Sequence, residues 1–296
     1  RIGYPMLAWA LSFGGTAPLV PFALVAVNVV AITVVGLLGA VLATHRGRHA
    51  AWGLVIAGYW GFGIVLARDL AELVAVASVL AVLYFVAEQR HLPAAAAGTL
   101  AVLTREQELV MVAAIAAGVA IATARERGAL EGARQAIVMA GTPLLVFGAW
   151  QGWIVHATGV EPPVNSALRF NGGTPFAGLR AALPVWIRDF GTGVGSSLAV
   201  LCLVALATVL AWGLSAGARA AWQAAPWELV ALVAGLAIFV TLDWNVLYAP
   251  ADFRQLGDAA ALAWLVGLRS TASAVVPVAV WLPVAAVAFG FRALTL

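Results

Sequence analysis

Two short charged clusters interrupt a chain that is otherwise almost continuously apolar. The first is Arg68-Asp69-x-x-Glu72, and the second is Leu103-Thr104-Arg105-Glu106. An ionisable side chain near a bilayer is costly unless it has a partner, water or a function. Arginine is suited to binding phosphate oxygens, and carboxylates orient arginine or accept hydrogen bonds from hydroxyl groups. If both clusters lie at one end of the molecule, they predict a polar binding site on an apolar scaffold.

The composition determines which elements must position these clusters. Only 10% of the 296 residues are charged, and the mean hydropathy is +1.00. A soluble domain has roughly 25% charged residues, so the composition excludes that class and predicts a chain embedded in lipid. The apolar runs are continuous, which favours helices over the alternating strands of a barrel. The expected fold is an all-α, polytopic transmembrane helical bundle.

Arginine supplies all sixteen cationic side chains, and most of these residues are scattered between the apolar runs. A nucleic-acid-binding protein would instead gather its basic residues into a patch or stripe. We therefore expect the lipid bilayer, and no nucleic acid, as a partner.

Hydrophobic runs between polar breaks predict a short helix from Tyr4 to Phe13 and then nine or ten crossings in one transmembrane domain, residues 1–296. The predicted crossings are 19–42, 52–67, 70–87, 92–103, 109–123, 137–155, 196–212, 227–242, a segment from about 252 to 268, and 273–289. Residues 157–192 form one longer loop, in which the stretch from Phe176 to Phe190 predicts an amphipathic helix. Because Arg1 to Pro5 resembles the middle of a loop that enters a helix, we expect an upstream segment to precede this chain.

Counting crossings predicts which polar features share an end of the bundle. Two crossings separate the two clusters, so both lie at one end if residues 92–103 cross the membrane. The same count brings the loop 157–192, Asp243, Asp252 and Arg254 to that end. The arginines divide eight and eight between the two ends. The positive-inside rule places the arginines of short loops on the cytoplasmic side. The arginines of the opposite end lie in short turns, so we expect that end to be cytoplasmic and the clusters to face outward.

The order of these features resembles the GT-C superfamily of polytopic glycosyltransferases, which take a sugar from a polyprenyl-phosphate donor. The resemblance rests on a short helix after Tyr4-Pro5, a glycine turn before the first crossing, the Arg68-Asp69-x-x-Glu72 junction and the Leu103-Thr104-Arg105-Glu106 junction. Within the superfamily, residues 1–9 (RIGYPMLAW) are similar to a segment of bacterial cell-surface glycopolymer and mannosyltransferase-type proteins. The resemblance covers residues 1–124 and fades beyond them. It implies a multi-pass protein of the bacterial cytoplasmic membrane.

The resemblance also implies a reaction and a set of roles. A sugar would pass from the polyprenyl-phosphate donor to a cell-envelope glycan, lipid or protein on the outer face. Arginines would hold the leaving phosphate. Acids would orient these arginines, bind sugar hydroxyls or help to coordinate a divalent cation. Whether a divalent cation takes part stays open. In the family the catalytic carboxylate lies in an upstream loop, so the base is expected before Arg1. The expected substrate-binding residues are Arg68, Asp69, Glu72, Arg105, Glu106 and Arg254.

Other interpretations stay open. A secondary transporter or flippase would show internal repeats and broken or charged helices near mid-membrane. The sequence has no convincing repeat, and its charges lie at the ends of the predicted crossings. A non-catalytic membrane scaffold would use the clusters only as local ion pairs that anchor helix ends at the interface. His45 and His49 are four residues apart, but Gly47 between them argues against a metal-binding helix face, and we assign no metal ligand.

Overall fold

The computed structural model describes residues 2–68, 70–159, 173–242 and 250–295, and every regular element in these ranges is helical. This confirms the expected all-α bundle. The helices of the first half are α1 (Gly3–Leu11), α2 (Val20–Thr44), α3 (Ala51–Leu54), α4 (Gly61–Ala67), α5 (Glu72–Ala87), α6 (His91–Thr104), α7 (Glu108–Arg127), α8 (Ala129–Ala136) and α9 (Thr142–Thr158). Those of the second half are α10 (Ala177–Arg188), α11 (Val194–Trp212), α12 (Ala218–Ala224), α13 (Pro226–Val240), α14 (Gly257–Gly267) and α15 (Val275–Thr295).

Four stretches of the described residues are long and apolar enough to cross a membrane. They are Ala17–Thr44, Glu108–Arg127, Ala129–Thr158 and Val194–Ala224. The second pair contains the π-helical segments Ile137–Gly141 and Gly213–Gly217, which join α8 to α9 and α11 to α12. Four shorter apolar helices cover Glu72–Ala87, His91–Thr104, Pro226–Val240 and Val275–Phe291. A crossing needs about 20 residues, so the larger number of crossings stays a prediction.

Burial is distributed as expected for a protein in lipid. All residues of α14 are buried, and so are most residues of α5, which makes these two helices the centre of the bundle. The outer helices instead expose large apolar side chains, such as Phe22 on α2 and Leu145 on α9, each 74% exposed. Soluble proteins rarely expose apolar surface on this scale, and lipid covers it in a membrane protein.

Small residues allow the closest helix contacts. A methyl group on Gly53 of α3 would collide with the carbonyl group of Gly39 on α2. In the same way, Gly217 lies directly against the backbone carbonyl group of Val266 on α14. Helices in lipid gain little from apolar burial alone, so close backbone approach at small residues is an important source of their packing energy.

Residues 52–67, which were predicted as one crossing, do not form one continuous helix. Helix α3 passes into a 3-10 turn, Val55–Gly58, after which Tyr59 adopts an extended conformation with ψ of 123°. Helix α4 then begins at Gly61. Glycine and aromatic residues are compatible with a membrane helix, so composition alone does not reveal the break.

The break in this crossing is occupied by the segment Pro250–Leu256. The Tyr59 hydroxyl donates a hydrogen bond to the carbonyl oxygen of Phe253, and the Tyr59 ring packs against Trp60 with centroids 4.7 Å apart. A Cβ atom on Gly61 would lie only 2.7 Å from the Cα atom of Arg254. The break in the helix therefore leaves room in the bundle for the segment Pro250–Leu256, which does not span the membrane. This segment carries Arg254, so the break determines where Arg254 lies.

Successive helices run between two ends, which we name by their residues. The turn end contains residues 45–50, 88–90, 128, 225 and 268–274, and the cluster end contains residues 70–72, 104–108 and 253–258. At the turn end, Glu228 is paired with both Arg46 and Arg269. Helix α6 runs from one end to the other, because the backbone N–H of Ile2 bonds to the Leu103 carbonyl at the cluster end while Glu88 and Gln89, just before α6, belong to the turn end. With 14 residues, α6 is shorter than a typical crossing, so the membrane crossing by residues 92–103 stays a prediction.

The predicted short first helix is confirmed and packs beside the second cluster. The Tyr4 hydroxyl donates to the Leu24 carbonyl oxygen at 3.1 Å and accepts from Nδ2 of Asn28 at 3.0 Å. The Ile2 N–H bonds to the Leu103 carbonyl oxygen at 2.9 Å. Helix α1 is thereby attached to both α2 and the end of α6, where Arg105 follows.

The amphipathic helix predicted over residues 176–190 is also confirmed, as α10. Its buried Trp186 packs against Phe253, with ring centroids 5.8 Å apart, whereas Ile187 and Phe190 are exposed. Backbone bonds from Gly173 to Thr241 (2.7 Å) and from Phe176 to Val240 (2.6 Å) attach its start to α13. The remainder of the predicted loop, residues 160–172, lies outside the described residues.

Candidate functional site

Three helices begin at the cluster end with a carboxylate in the first turn. These residues are Glu72 of α5, Glu108 of α7 and Asp258 of α14. A negative charge is favourable there because the N-terminus of a helix carries a partial positive charge. All three side chains are buried, with 7%, 0% and 4% exposure. The partial charge of a helix end does not by itself offset the cost of removing a carboxylate from water, so nearby cations are expected.

Arg254 supplies one of these cations. Its Nε lies 2.9 Å from Oε1 of Glu72, and the two side chains are 20% and 9% exposed. Glu72 is the first residue of α5, so it lies at the end of this helix and not inside the crossing predicted to begin at residue 70. The pair is thus at the edge of the bundle, where the guanidinium group of Arg254 remains partly accessible.

Arg105 supplies the second cation, and it is only 3% exposed. Its Nη1 lies 3.6 Å from Oε1 of Glu108, which is an ion pair but too long for a hydrogen bond. Among the described residues, neither Nε nor Nη1 of Arg105 has a hydrogen-bond partner. Such unsatisfied buried donors are rare and are normally explained by water, an ion or a function.

The carboxyl groups of Glu108 and Asp258 lie within interaction range of each other and of Arg105. Both Glu108 oxygens and Oδ1 of Asp258 have no donor among the described residues. Two carboxylates are both acceptors, so their contact is a hydrogen bond only when one of them carries a proton. Arg105, Glu108 and Asp258 therefore form a buried group with unused donors and acceptors, suited to phosphate oxygens, hydroxyl groups or protons.

The structure brings together three of the residues selected from the sequence, since Glu72, Arg105 and Arg254 all lie at the cluster end. Arg68 is at the end of α4 and exposed, with no ion pair to the described residues. Glu106 is half-buried in the turn between α6 and α7, and the ion pair of Arg105 is with Glu108 rather than with this neighbour. Asp69 and Asp243, and the side chain of Asp252, lie outside what the structure describes.

Two residues of the site were missed in the sequence. Glu108 directly precedes the apolar run that was predicted to start at residue 109, and Asp258 opens the alanine-rich run of α14. The criterion that selected Glu72, an acid at the start of an apolar run, applies to both. Their contact could not be predicted, because 150 residues separate them and it depends on α13, which packs against both α7 and α14.

A divalent cation does not fit the described residues of the site. No group of three histidine, cysteine or acidic side chains in these ranges could hold a metal ion. Glu72 is engaged by Arg254, and Arg105 provides the positive charge beside the other two acids. At the turn end, His45 lies 3.6 Å from Glu88, and Nδ1 of His49 accepts a backbone hydrogen bond.

The fold and the site together define a helical membrane protein with a buried charge cluster at one end of its bundle. Comparison with models of protein families, with curated protein sequences and with solved structures finds no match to this chain.

Proposed function

We propose that the protein is an integral-membrane glycosyltransferase that moves a sugar from a polyprenyl-phosphate donor to a cell-envelope acceptor on the outer face of the membrane. The observation that carries this proposal is Arg105, a buried arginine whose Nε and Nη1 have no acceptor in the described residues. An anionic phosphate is the ligand for which the planar guanidinium group is best suited. The resemblance of residues 1–124 to the GT-C superfamily supports the same conclusion.

In the proposed reaction the acceptor hydroxyl attacks C1 of the donor sugar. The bond between C1 and the phosphate oxygen breaks, its electron pair leaves with the polyprenyl phosphate, and the hydroxyl proton passes to a base. Arg105 and Arg254 stabilise the negative charge that develops on the phosphate. We assign no base among the described residues, whose role in this proposal is to bind and orient the donor.

The acids of the cluster have supporting roles in this proposal. Glu72 orients Arg254 through the 2.9 Å ion pair. Glu108 and Asp258 hold Arg105 in place by attraction and present acceptors to the sugar hydroxyls. A site of this kind distinguishes sugars by hydroxyl position, because a buried acceptor left without a donor is costly.

Helix α10 is placed to guide a lipid donor to the site. Trp186 packs on Phe253, the residue that directly precedes Arg254. The other face of the helix exposes Phe176, Ile187 and Phe190. An amphipathic helix of this kind lies in the membrane interface, where the phosphate of a polyprenyl donor is also located.

One observation favours a second candidate, a proton-coupled transporter or flippase. The crossing formed by α3 and α4 is broken at Tyr59, and broken helices mark the binding sites of many transporters. The buried carboxyl pair of Glu108 and Asp258 is of a type that carries protons in pumps. The charges nonetheless lie at the two ends of the bundle rather than at mid-membrane, so we place this function second.

A product analysis separates the two candidates. The full-length protein is reconstituted in proteoliposomes with a panel of polyprenyl-phosphate hexoses that carry a labelled sugar, together with a cell-envelope extract as acceptor. A transferase releases free polyprenyl phosphate in step with label gained by the acceptor. A flippase moves the intact donor to the other leaflet with the label still attached. If the donor stays intact with every sugar of the panel, the transferase proposal is wrong.

A further inference from the structure

A cleft of about 640 Å³ opens at the turn end of the bundle. It lies where α5 ends, α6 begins, α7 ends and α12 meets α13. Its volume is within the range of small-molecule sites, roughly 300–1,000 Å³. The sequence led us to expect only short, featureless turns at this end, and the cleft corrects that expectation. It lies at the opposite end from Arg105 and Glu72, so it is separate from the proposed transfer site.

The walls of the cleft carry more positive than negative charge. Arg125, Arg127 and Arg269 line it, together with the carboxylates of Glu88 and Glu126. His45 and His91 also line it. An anionic ligand is therefore favoured over a cationic one.

Two of these arginines are already held in place. Nε and Nη2 of Arg269 donate to the carboxylate of Glu228 at 2.5 and 2.7 Å. Nη1 of Arg125 donates to the Trp222 carbonyl oxygen at 2.9 Å, and its guanidinium group lies 4.6 Å from the centre of the Trp222 ring. A ligand that binds to arginines fixed in this way loses less free energy to the ordering of side chains.

Two buried groups beside the cleft have no hydrogen-bond partner among the described residues. Trp227, near the start of α13, is 9% exposed, and its indole N–H has no acceptor among the described residues. Nδ1 of His91, the first residue of α6, is likewise buried and without a partner there. An indole N–H can only donate, so it requires an oxygen acceptor from a ligand or from water. Both helices also direct their positive ends to this region.

We propose that this cleft binds the phosphate group of an anionic ligand between its arginines and the starts of α6 and α13. Arginine and helix N-termini are the two protein features that most commonly bind phosphate, and both meet here. An apolar ligand would leave the arginines of the walls without a partner, and a cation would meet three arginines against two carboxylates. The phosphate can belong to a phospholipid headgroup or to a soluble phosphate compound, since the cleft would recognise the same group in both.

Ligand-induced stabilisation distinguishes the two sources. The full-length protein is reconstituted in nanodiscs of phosphatidylcholine alone, of phosphatidylcholine with phosphatidylglycerol, or of phosphatidylcholine with added inorganic phosphate. Thermal unfolding is then followed in each sample. A higher Tm with phosphatidylglycerol identifies a lipid phosphate, and a higher Tm with inorganic phosphate identifies a soluble one. An unchanged Tm in both would overturn the proposal.

Matched variants show whether any stabilisation arises in the cleft. Arg127→Gln removes an exposed cation from its wall, and Arg125→Gln removes the cation that stacks on Trp222. Each is expected to weaken binding of the effective probe about tenfold, as expected for the loss of one charge-assisted hydrogen bond. Arg219→Gln removes the same charge from an exposed position of α12 outside the cleft and should leave binding unchanged. Equal weakening by Arg127→Gln and Arg219→Gln would reduce the effect to general surface attraction and contradict the proposal.

Discussion

Buried charges at the cluster end differ in how completely they are paired. Glu72 and Arg254 form a short ion pair at the edge of the bundle. Arg105 is 3% exposed, yet its ion pair with Glu108 is longer, at 3.6 Å. A buried ion pair is not by itself stabilising, because desolvation offsets much of the attraction. Residues retained in such a position despite this cost are candidates for binding a ligand.

A double-mutant cycle measures the Glu72–Arg254 interaction. We expect Glu72→Gln and Arg254→Gln, singly and together, to give a coupling of about 1–2 kcal/mol in the free energy of unfolding, since both side chains are largely buried. The control pair is Glu131 and Arg134, which lie 3.8 Å apart on the more exposed helix α8. Their coupling should stay below about 0.5 kcal/mol. Similar values for the two pairs would show that Glu72 and Arg254 do not interact as described.

Single residues were partly predictable from the sequence. Glu72, Arg105 and Arg254 could be selected because each is a charged residue at the edge of an apolar run. The partner of Arg105 could not be selected, because it depends on where α7 begins. The helix starts at Glu108, and this start places that acid, rather than Glu106, three residues from Arg105 inside the bundle.

At the scale of elements, the site depends on one broken helix and one interfacial helix. The break between α3 and α4 admits the segment Pro250–Leu256, and α10 packs against that segment through Trp186 and Phe253. The amphipathic pattern was sufficient to predict α10. The break was not predictable, because it depends on a hydrogen bond from Tyr59 to a residue 194 positions away.

Replacing Trp186 tests the attachment of α10. Trp186 is 2% exposed, so Trp186→Ala should lower the free energy of unfolding by about 3 kcal/mol, as for other large-to-small changes in a packed core. Trp153→Ala is the control, because Trp153 is 57% exposed on α9 and should change stability by less than about 1 kcal/mol. Thermal denaturation in detergent measures both. Equal effects would contradict the packing of α10 onto Phe253.

At the scale of the whole molecule, alternation of helices between two ends organises the chemistry. Composition was sufficient to predict a helical membrane protein, and counting crossings was sufficient to bring Glu72, Arg105 and Arg254 to one end. The cleft at the other end was not predictable, because it is formed by five chain segments that are far apart in sequence. The sequences of short turns contain no pattern that reveals a cleft between those turns.

The orientation in the membrane is testable because Cys202 is the only cysteine and is fully buried. In a Cys202→Ala background, single cysteines replace Arg68 at the cluster end and Arg134 at the turn end, both exposed. A membrane-impermeant maleimide should label Arg68→Cys in intact cells and Arg134→Cys only after the membrane is opened. Labelling in the reverse order would place the cluster in the cytoplasm. Labelling of both from outside would contradict the two-ended arrangement.

The most direct measurement is sugar transfer by the full-length protein from a polyprenyl-phosphate sugar, with Arg105→Ala and Glu72→Ala compared with the unaltered protein. Because Arg105 is proposed to stabilise the leaving phosphate and Glu72 to orient Arg254, we expect both variants to lose at least about 100-fold in turnover while an unfolding transition persists. Arg219→Ala, at the turn end, should transfer sugar at the normal rate. Normal transfer by both Arg105→Ala and Glu72→Ala would contradict the assignment of the cluster as the site of a glycosyltransferase.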